Sequence, residues 1–176
     1  MAGRARIATF FTAGAGLFCL AALASGRLSP RPQDQPAVPP LEKTVSVAAD
    51  AGWVDTGIDV RAGDEIRFSA SGQIDLQRGN PEAVCGPEGL DLITSEQPVP
   101  NQNIGALIGK VAQLVARRVD EDSGTEVRDE IFVLFLIGQE KAVTAPFSGR
   151  LFLGINENVL KDNGGAFSVV VVRRPV

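Results

Sequence analysis

The stretch 154–165 concentrates oxygen-bearing side chains of the kind that bind hard cations. It carries two carboxylates, Glu157 and Asp162, and three carboxamides, Asn156, Asn158 and Asn163. Ca²⁺ takes about six to eight oxygen ligands at flexible geometry, so carboxylates, amides and free carbonyls suit it. The same residue types also form ordinary hairpin turns, because Asn, Asp and Gly tolerate positive φ. The loop alone therefore leaves a cation site and a plain hairpin connection both open.

Apolar runs on both sides of the loop predict the strands that position it. Residues 149–155 lead in and residues 166–172 lead out. Upstream, apolar and polar residues alternate over 43–48 and 53–60, which predicts two half-buried strands. In the second strand Val54, Thr56, Ile58 and Val60 share one face, which continues as the inward face of the next strand. A turn at 62–64 leads into a third strand, whose inward face we assign to Ile66, Phe68 and Ala70. We expect the second and third strands to pair as a hairpin.

The middle of the chain predicts longer connections between the remaining strands. Ser71-Gly72 is expected to break the third strand before a short strand at 73–76, and a polar loop follows over 77–103. Residues 104–111 predict a strand, which 112–119 either prolong or follow with a helical turn. The dense, alternating charge of 117–130 indicates a solvated hairpin or flexible insertion.

The C-terminal third supplies the last predicted elements. Residues 131–137 are continuously apolar, which favours a strand buried on both faces, and 141–147 predict a turn. Short strands with turn residues between them and no long amphipathic helix predict an all-β fold. We expect an antiparallel jelly-roll β-sandwich.

Composition excludes several classes of function. The chain contains no histidine, which removes Ser-His-Asp and Cys-His catalysis and His-ligated zinc. A net charge of −4 argues against nucleic acid as a partner, because phosphate binding depends on clustered Lys and Arg. The excess of negative charge grows if the residues before Ser25 are removed, since Arg4 and Arg6 are then lost.

The N-terminus has the form of an export signal. Arg4 and Arg6 precede the apolar run 7–24, which ends in Ala22-Leu23-Ala24. Residues 1–24 are therefore either a signal peptide cleaved after Ala24 or an N-terminal membrane anchor, because the run approaches the length of a membrane span. In both cases we expect an exported protein, periplasmic, extracellular or anchored to the outer face of the cytoplasmic membrane.

The prolines at 30, 32, 36, 39 and 40 predict a linker over 25–41, followed by the folded domain at 42–176. Cys85 is the single cysteine of that domain. It cannot form a disulfide within the domain, so we expect a buried, unpaired thiol, with an intermolecular bridge as the alternative.

Phrases spread over residues 43–176 resemble the calcium-dependent galactophilic bacterial lectins of the PA-I type. The phrases are Trp53-Val54-Asp55-Thr56-Gly57-Ile58, Ala62-Gly63-Asp64, Gly86-Pro87-Glu88-Gly89, Ile104-Gly105-Ala106-Leu107-Ile108-Gly109-Lys110, Ala145-Pro146, Asn156-Glu157-Asn158 and Asp162-Asn163-Gly164-Gly165-Ala166-Phe167. The resemblance implies a galactose-binding-like β-sandwich in which one Ca²⁺ lies between the last two strands and binds sugar hydroxyls directly.

Carried over by position, the resemblance implies both metal and sugar ligands. Glu157, Asp162 and Asn163 would bind calcium through their side chains, and Leu76 and either Val159 or Leu160 would bind it through backbone carbonyls. Glu157 and Asp162 would also meet the sugar, together with Pro87, Glu88 and Asp91. The chain departs from the family at Glu157, which replaces a shorter aspartate, and it lacks the family's sugar-contacting histidine.

These features predict an exported, non-catalytic, calcium-assisted module that binds galactose-like or other vicinal-diol sugars on a glycoconjugate. The alternative is a structural or adhesive cell-envelope domain that has lost the sugar site. A glycosidase would need a carboxylate pair, for which Asp91 and Glu96 are the candidates. Trp53 could stack on a sugar or belong to the core. Whether the protein forms a homo-oligomer is left open.

Overall fold

The computed structural model describes residues 39–120 and 124–176, without the side chains of Val127 and Arg128. They form eleven strands and one short 3-10 helix, Pro81–Ala83. The strands are β1 Leu41–Ala48, β2 Val54–Val60, β3 Glu65–Asp75, β4 Val84–Cys85, β5 Ile93–Thr94, β6 Gln102–Asn103, β7 Leu107–Val119, β8 Glu126–Leu136, β9 Glu140–Thr144, β10 Gly149–Ile155 and β11 Gly164–Arg174.

The strands form two main antiparallel sheets. In the first sheet β11 lies between β1 and β3, and β4 and β9 pair with β3 at opposite ends of that strand. In the second sheet the order is β2, β10, β7, β8. A small ribbon of β5 and β6 lies apart. The predicted all-β antiparallel sandwich is confirmed, since the described residues contain no α-helix.

Alternating residues from both sheets form one hydrophobic core. The first sheet contributes Val45, Val47, Ile66, Phe68, Ala70, Phe167, Val169 and Val171, and the second contributes Ile58, Val60, Leu107, Val111, Leu151 and Leu153. The inward faces assigned to β2 and β3 from their period of two are confirmed. Burial of this apolar surface supplies most of the favourable free energy of folding.

Two expectations about β2 and β3 are wrong. They do not form a hairpin, because β2 pairs with β10 in one sheet while β3 pairs with β11 in the other. The turn at Gly63, with φ of +92°, instead carries the chain from one sheet to the other. Nor does Ser71-Gly72 end β3, because its pairing with β11 continues without a break through Gly72 to Asp75.

The strand predicted at 131–137 is not buried on both faces. It belongs to β8, the edge strand of the second sheet, where Ile131 is 50% exposed and Phe132 is 55% exposed. Its inner half packs against the core through Phe135 and Ile137. The apolar run therefore belongs to an edge strand. Its N-terminal half is exposed because it leads into the β7–β8 hairpin, which was one of the two forms predicted for 117–130.

The segment predicted as a turn over 141–147 forms most of β9, which pairs with residues 65–69 of β3. Ala112 to Val119 prolong β7 as a strand, which was one of the two alternatives. The signal or anchor predicted at 1–24 and most of the linker lie outside the described residues, while Leu41 already belongs to β1. In the part of the chain that the structure describes, no helix has the length and apolar character needed to span a membrane.

Candidate functional site

The loop between β10 and β11 crosses from one sheet to the other at the end of the sandwich. Because β10 and β11 lie in different sheets, the plain hairpin interpretation of this loop is wrong. The first residue after β10, Asn156, is fully buried, and the last before β11, Asn163, is also fully buried. Two buried carboxamides therefore fix the ends of the loop.

Asn156 has every polar atom of its side chain in use. Its Oδ1 accepts a hydrogen bond from the Val99 amide at 2.8 Å, and its Nδ2 donates to the carbonyls of Val99 and Asn103, each at 3.1 Å. Its main chain pairs with Gly105 and Ala106. Asn156 thus binds the 99–106 segment to the loop and is not free to bind a ligand.

Asn163 has one polar atom without a partner. Its Nδ2 donates to the Ala49 carbonyl at 3.1 Å, which fixes the orientation of the amide. Its Oδ1 is buried and accepts no hydrogen bond from the described residues. A buried acceptor without a hydrogen-bond partner lowers the stability of the fold by about 1–3 kcal/mol. This oxygen is therefore the atom of the loop that would gain most from binding a cation.

Glu157 closes a tight turn within the loop. Its Oε1 accepts from the amides of Asn158 and Val159 at 2.8 and 2.9 Å, while Oε2 has no hydrogen-bond donor among the described residues. The Leu160 carbonyl accepts from the Asn163 amide at 3.2 Å, and Val159 is 63% exposed. The carboxylate of Glu157 is thereby held on the loop with one oxygen still available.

Asp162 and Leu76 come from two segments that meet. Gly164 pairs with Asp75, so Asn163 and Leu76, the residues just outside that pair, lie at the same place on the sheet edge. The Asp162 carbonyl accepts from the Arg78 amide at 2.9 Å, and its side chain is exposed. The fold therefore brings the backbone of Asp162 and Asn163 close to that of Leu76, and their role as calcium ligands stays a prediction.

Arg78 adds a positive charge beside the loop. Its guanidinium packs over Gly164, where a Cβ would lie 3.2 Å from Nε. It also forms an ion pair with Asp50 at 3.3 Å. Both partners are more than half exposed, so the pair contributes little to stability.

Of the other residues predicted to contact sugar, Pro87 and Glu88 are bound to other parts of the fold. Pro87 is buried, and its carbonyl accepts from Leu107. Glu88 Oε1 accepts from the Gln139 amide at 2.7 Å, and its carboxylate lies against Gly138, where a Cβ would be 2.7 Å from Oε2. Glu88 therefore secures the β8–β9 turn. Asp91 is exposed, and its side chain forms no hydrogen bond or ion pair with the described residues.

The same long connection reaches the β10–β11 loop further along. Asn158 Nδ2 donates a short hydrogen bond to the Glu96 carbonyl, so the segment around Glu96 does border the loop. Both Glu96 and Asp91, the pair considered for a glycosidase, are exposed.

A pocket lies on the Trp53 side of the loop. It has a volume of about 240 Å³ and is lined by residues of the β1–β2 turn, the β5–β6 segment, the end of β10 and the β10–β11 loop: Ala51, Gly52, Trp53, Pro98, Gly154, Ile155, Glu157, Asn158 and Leu160. Glu157 and Leu160 thus belong both to the pocket and to the predicted calcium ligands.

The side chains of the loop that could hold a metal supply oxygen donors. In the described residues no three Asp, Glu, Cys or His side chains come together as a metal-binding group. Zinc-like centres built from Cys and His are therefore not supported there. Two carboxylates, Glu157 and Asp162, with the buried Asn163 Oδ1 and backbone carbonyls match the oxygen chemistry of Ca²⁺ and could neutralise its charge.

Comparison with known proteins bears on the fold. No protein-family model and no curated protein sequence matches the chain. Among solved structures the chain is similar to the EclA N-terminal domain, a PllA-like lectin, with a TM-score of 0.50 and 24% sequence identity. The match covers 74% of this chain and 95% of that domain. This chain has the fold of a lectin domain.

At this level of identity the likeness concerns the fold alone. The similarity to the lectin domain agrees with the predicted sandwich, and the more specific resemblance to PA-I-type lectins stays a prediction. The calcium and sugar ligands carried over by position also stay predictions. What the geometry adds is that Asp162, Asn163 and Leu76 meet at one end of the sandwich.

Sequence analysis missed the role of Asn156. It is one of the three asparagines of the loop, and no periodic signal separates it from Asn158 or Asn163. Its hydrogen-bond partners, Val99 and Asn103, are more than 50 residues away in the chain. Only the folded arrangement distinguishes the buried structural amide from the candidate ligand.

Proposed function

We propose that the protein is an exported, non-catalytic carbohydrate-binding module that binds sugar with the assistance of Ca²⁺ at the β10–β11 loop. The sugars in question are galactose-like or other vicinal-diol saccharides carried on a glycoconjugate. The observation that carries the proposal is the buried Asn163 Oδ1, which accepts no hydrogen bond from the described residues.

The cation would recover the energy that the unpartnered oxygen costs. Its ligands would be Asn163 Oδ1, the carboxylates of Glu157 and Asp162, and the carbonyls of Leu76 and of Val159 or Leu160. When bound, Ca²⁺ would supply a positive charge that accepts two neighbouring hydroxyl oxygens of a sugar. The protein's own part is to hold these ligands at the end of the sandwich, through the Asn163–Ala49 and Arg78–Asp162 hydrogen bonds.

The shared fold of a lectin domain supports a carbohydrate as the ligand class. For sugar contacts, Asp162 and Glu157 are better placed than Glu88, whose carboxylate is bound to the turn at Gln139. We propose that Asp91 and the segment near Glu96 contact the bound sugar and determine which sugars are accepted, since the Glu96 carbonyl is hydrogen-bonded to Asn158 of the loop.

The apolar run 7–24 supports a location outside the cytoplasm, where calcium is plentiful. Anchoring through that run and release after cleavage are two forms of the same proposal. Fractionation of cells that express the full chain separates them, since only an anchored domain stays with the membranes after a high-salt wash.

A specific observation favours a second function, a structural or adhesive envelope domain without a sugar site. Glu157 Oε1 is satisfied by the amides of Asn158 and Val159, so the loop has an internal turn that needs no cation. A domain of this kind would keep the sandwich and use the loop only to connect its sheets.

Thermal unfolding of the full chain separates the two functions. Calcium should raise the midpoint, and galactosides should raise it again in the presence of calcium, because a ligand that binds only the native state stabilises it. Replacing Glu157 and Asp162 together by Ala should abolish both shifts. Calcium stabilisation without any response to a broad glycan array would favour the structural domain, and a calcium shift unchanged in the double variant would contradict the ligand assignment.

A further inference from the structure

The pocket beside the loop has an aromatic wall that the calcium proposal does not use. Trp53 lies just before β2 and is 37% exposed. Its ring packs directly on the backbone of β10, because a Cβ at Gly154 would lie 3.0 Å from Cε3 and 3.1 Å from Cζ3. The indole is therefore held on the outer surface of the second sheet and is not inserted into the core.

A lysine on the same sheet surface helps to fix the ring. Lys110 Nζ lies 4.9 Å from the centre of the Trp53 ring and 4.8 Å from that of Phe152, its cross-strand neighbour. Such cation–π contacts contribute about 0.5–1 kcal/mol at exposed sites. The backbone of Gly154 against the ring and Lys110 Nζ over it fix the orientation of Trp53, while 37% of the residue stays exposed. A side chain that is already fixed loses less entropy when a ligand binds to its exposed part.

The rest of the pocket offers apolar surface and hydrogen-bond acceptors. Pro98 and Leu160 line it with Trp53, and Glu157 and Asn158 supply its oxygens. Glu157 Oε2 and Asn158 Oδ1 accept no hydrogen bonds from the described residues, since Glu157 bonds through Oε1 and Asn158 through Nδ2. Apolar walls with a few acceptors suit a ring that has one apolar face and hydroxyl donors on its edge.

We infer that the Trp53 pocket is a second subsite that takes the next sugar ring of an oligosaccharide. A pyranose presents C–H groups that carry partial positive charge, and these are attracted to the negative face of an aromatic ring. The volume of about 240 Å³ lies below the range of about 300–1,000 Å³ for larger ligands, which matches a single ring. The carboxylate of Glu157 disfavours an anionic ligand.

The inference rests on the proposed function, because the pocket shares Glu157 and Leu160 with the candidate calcium ligands. A sugar held at the cation would place its neighbour in the chain next to Trp53. The pocket would then make the protein bind disaccharides more tightly than monosaccharides, and the gain would come from Trp53 and not from calcium.

Trp53 is the single tryptophan of the chain, so its fluorescence reports directly on this pocket. The full chain with calcium should be titrated with methyl β-galactoside and methyl β-glucoside, and with lactose and cellobiose. At least one disaccharide should change the emission and bind about tenfold more tightly than its monosaccharide, a difference of ~1.4 kcal/mol. Trp53→Phe should remove that gain while leaving monosaccharide affinity, measured by calorimetry, within about twofold.

Phe132→Ala is the matched control. Phe132 is an exposed aromatic residue of the same sheet, and its ring centre lies 5.9 Å from Lys110 Nζ, but it does not line the pocket. It should change neither affinity. Calcium-dependent saccharide binding in which no disaccharide changes Trp53 emission or binds more tightly than its monosaccharide would overturn the subsite and leave the proposed function intact. No emission change with any of the four saccharides and no calcium-dependent binding would overturn both.

Discussion

At the scale of single residues, three similar asparagines do three different things. Asn156 joins the β10–β11 loop to the 99–106 segment, Asn158 borders the Trp53 pocket, and Asn163 presents a buried oxygen with no donor among the described residues. Side-chain chemistry is identical in all three. The difference lies in burial and in which partners the fold brings to each amide.

Asn156→Ala should destabilise the protein strongly. The substitution would leave the Val99 amide and the carbonyls of Val99 and Asn103 without their partner, at about 1–3 kcal/mol for each group that stays buried. We expect a loss of about 3 kcal/mol in the free energy of unfolding, measured by urea denaturation. Asn158→Ala, which removes one exposed hydrogen bond, should cost under about 1 kcal/mol. Equal losses would contradict the role of Asn156.

Cys85 should be chemically inert in the native state. It is a buried free cysteine, as expected from the sequence, and burial raises the pKa of its thiol from 9.0 to about 11. The thiolate is the reactive form. Iodoacetamide at pH 8 should therefore leave Cys85 unmodified in the native protein and modify it in the urea-unfolded chain, as mass spectrometry of the peptide that contains Cys85 would show.

The same pKa shift predicts how stability depends on pH. The thiol of Cys85 keeps its proton in the folded state at pH values where the unfolded chain has lost it. The stabilisation is therefore complete below pH 9 and is lost as the pH rises from 9 to about 11. The difference in unfolding free energy between the wild type and Cys85→Ala should shrink over that range. A constant difference would show that the thiol is not desolvated.

At the scale of elements, β8 shows where apolar pattern misleads. Its sequence predicts burial on both faces, yet the strand lies at the sheet edge with Ile131 half exposed. A run of apolar residues cannot indicate how far a strand extends beyond the sandwich, because that depends on the length of its partner. β7 and β8 pair out to Val119 and Glu126, past the end of the core.

A matched pair of isoleucines tests this placement. Ile66→Ala, at a residue with no exposed surface, should lower the free energy of unfolding by about 2–5 kcal/mol. Ile131→Ala, at a residue 50% exposed, should cost less than about 1 kcal/mol. Chemical denaturation of both variants provides the comparison, and a large loss in Ile131→Ala would mean that β8 is covered by another surface in solution.

At the scale of the whole molecule, the period-two pattern was enough to predict the sandwich and most strand faces. Alternation in β2 and β3 correctly named Ile58, Ile66 and Phe68 as inward. It could not predict which strands pair, because pairing depends on contacts far apart in the chain. The turn at Gly63 illustrates this: a tight turn between two strands is typical of a hairpin, yet here the chain changes sheets.

The candidate site was also predicted in part from the sequence, while the rest depends on contacts between distant segments. Residue types predicted an oxygen-rich loop, and the fold brings Asp162 and Asn163 to Leu76 through the pairing of Gly164 with Asp75. The contacts of Glu88 with Gly138 and Gln139 could not be foreseen, since nothing local indicates that a loop carboxylate will bind a distant turn. The proposed function rests on the buried Asn163 Oδ1, which accepts no hydrogen bond from the described residues, and only the folded chain shows that.

The most direct test of the central claim is a calorimetric titration of the full chain with Ca²⁺. We predict one saturable site, with affinity reduced at least about tenfold in Asp162→Asn and similarly in Asn163→Leu. Asp50→Asn removes a neighbouring carboxylate that pairs with Arg78 and is not among the predicted ligands, so it should bind calcium as the wild type does. An absence of binding heat, or equal losses in Asp162→Asn and Asp50→Asn, would contradict a calcium site at the β10–β11 loop.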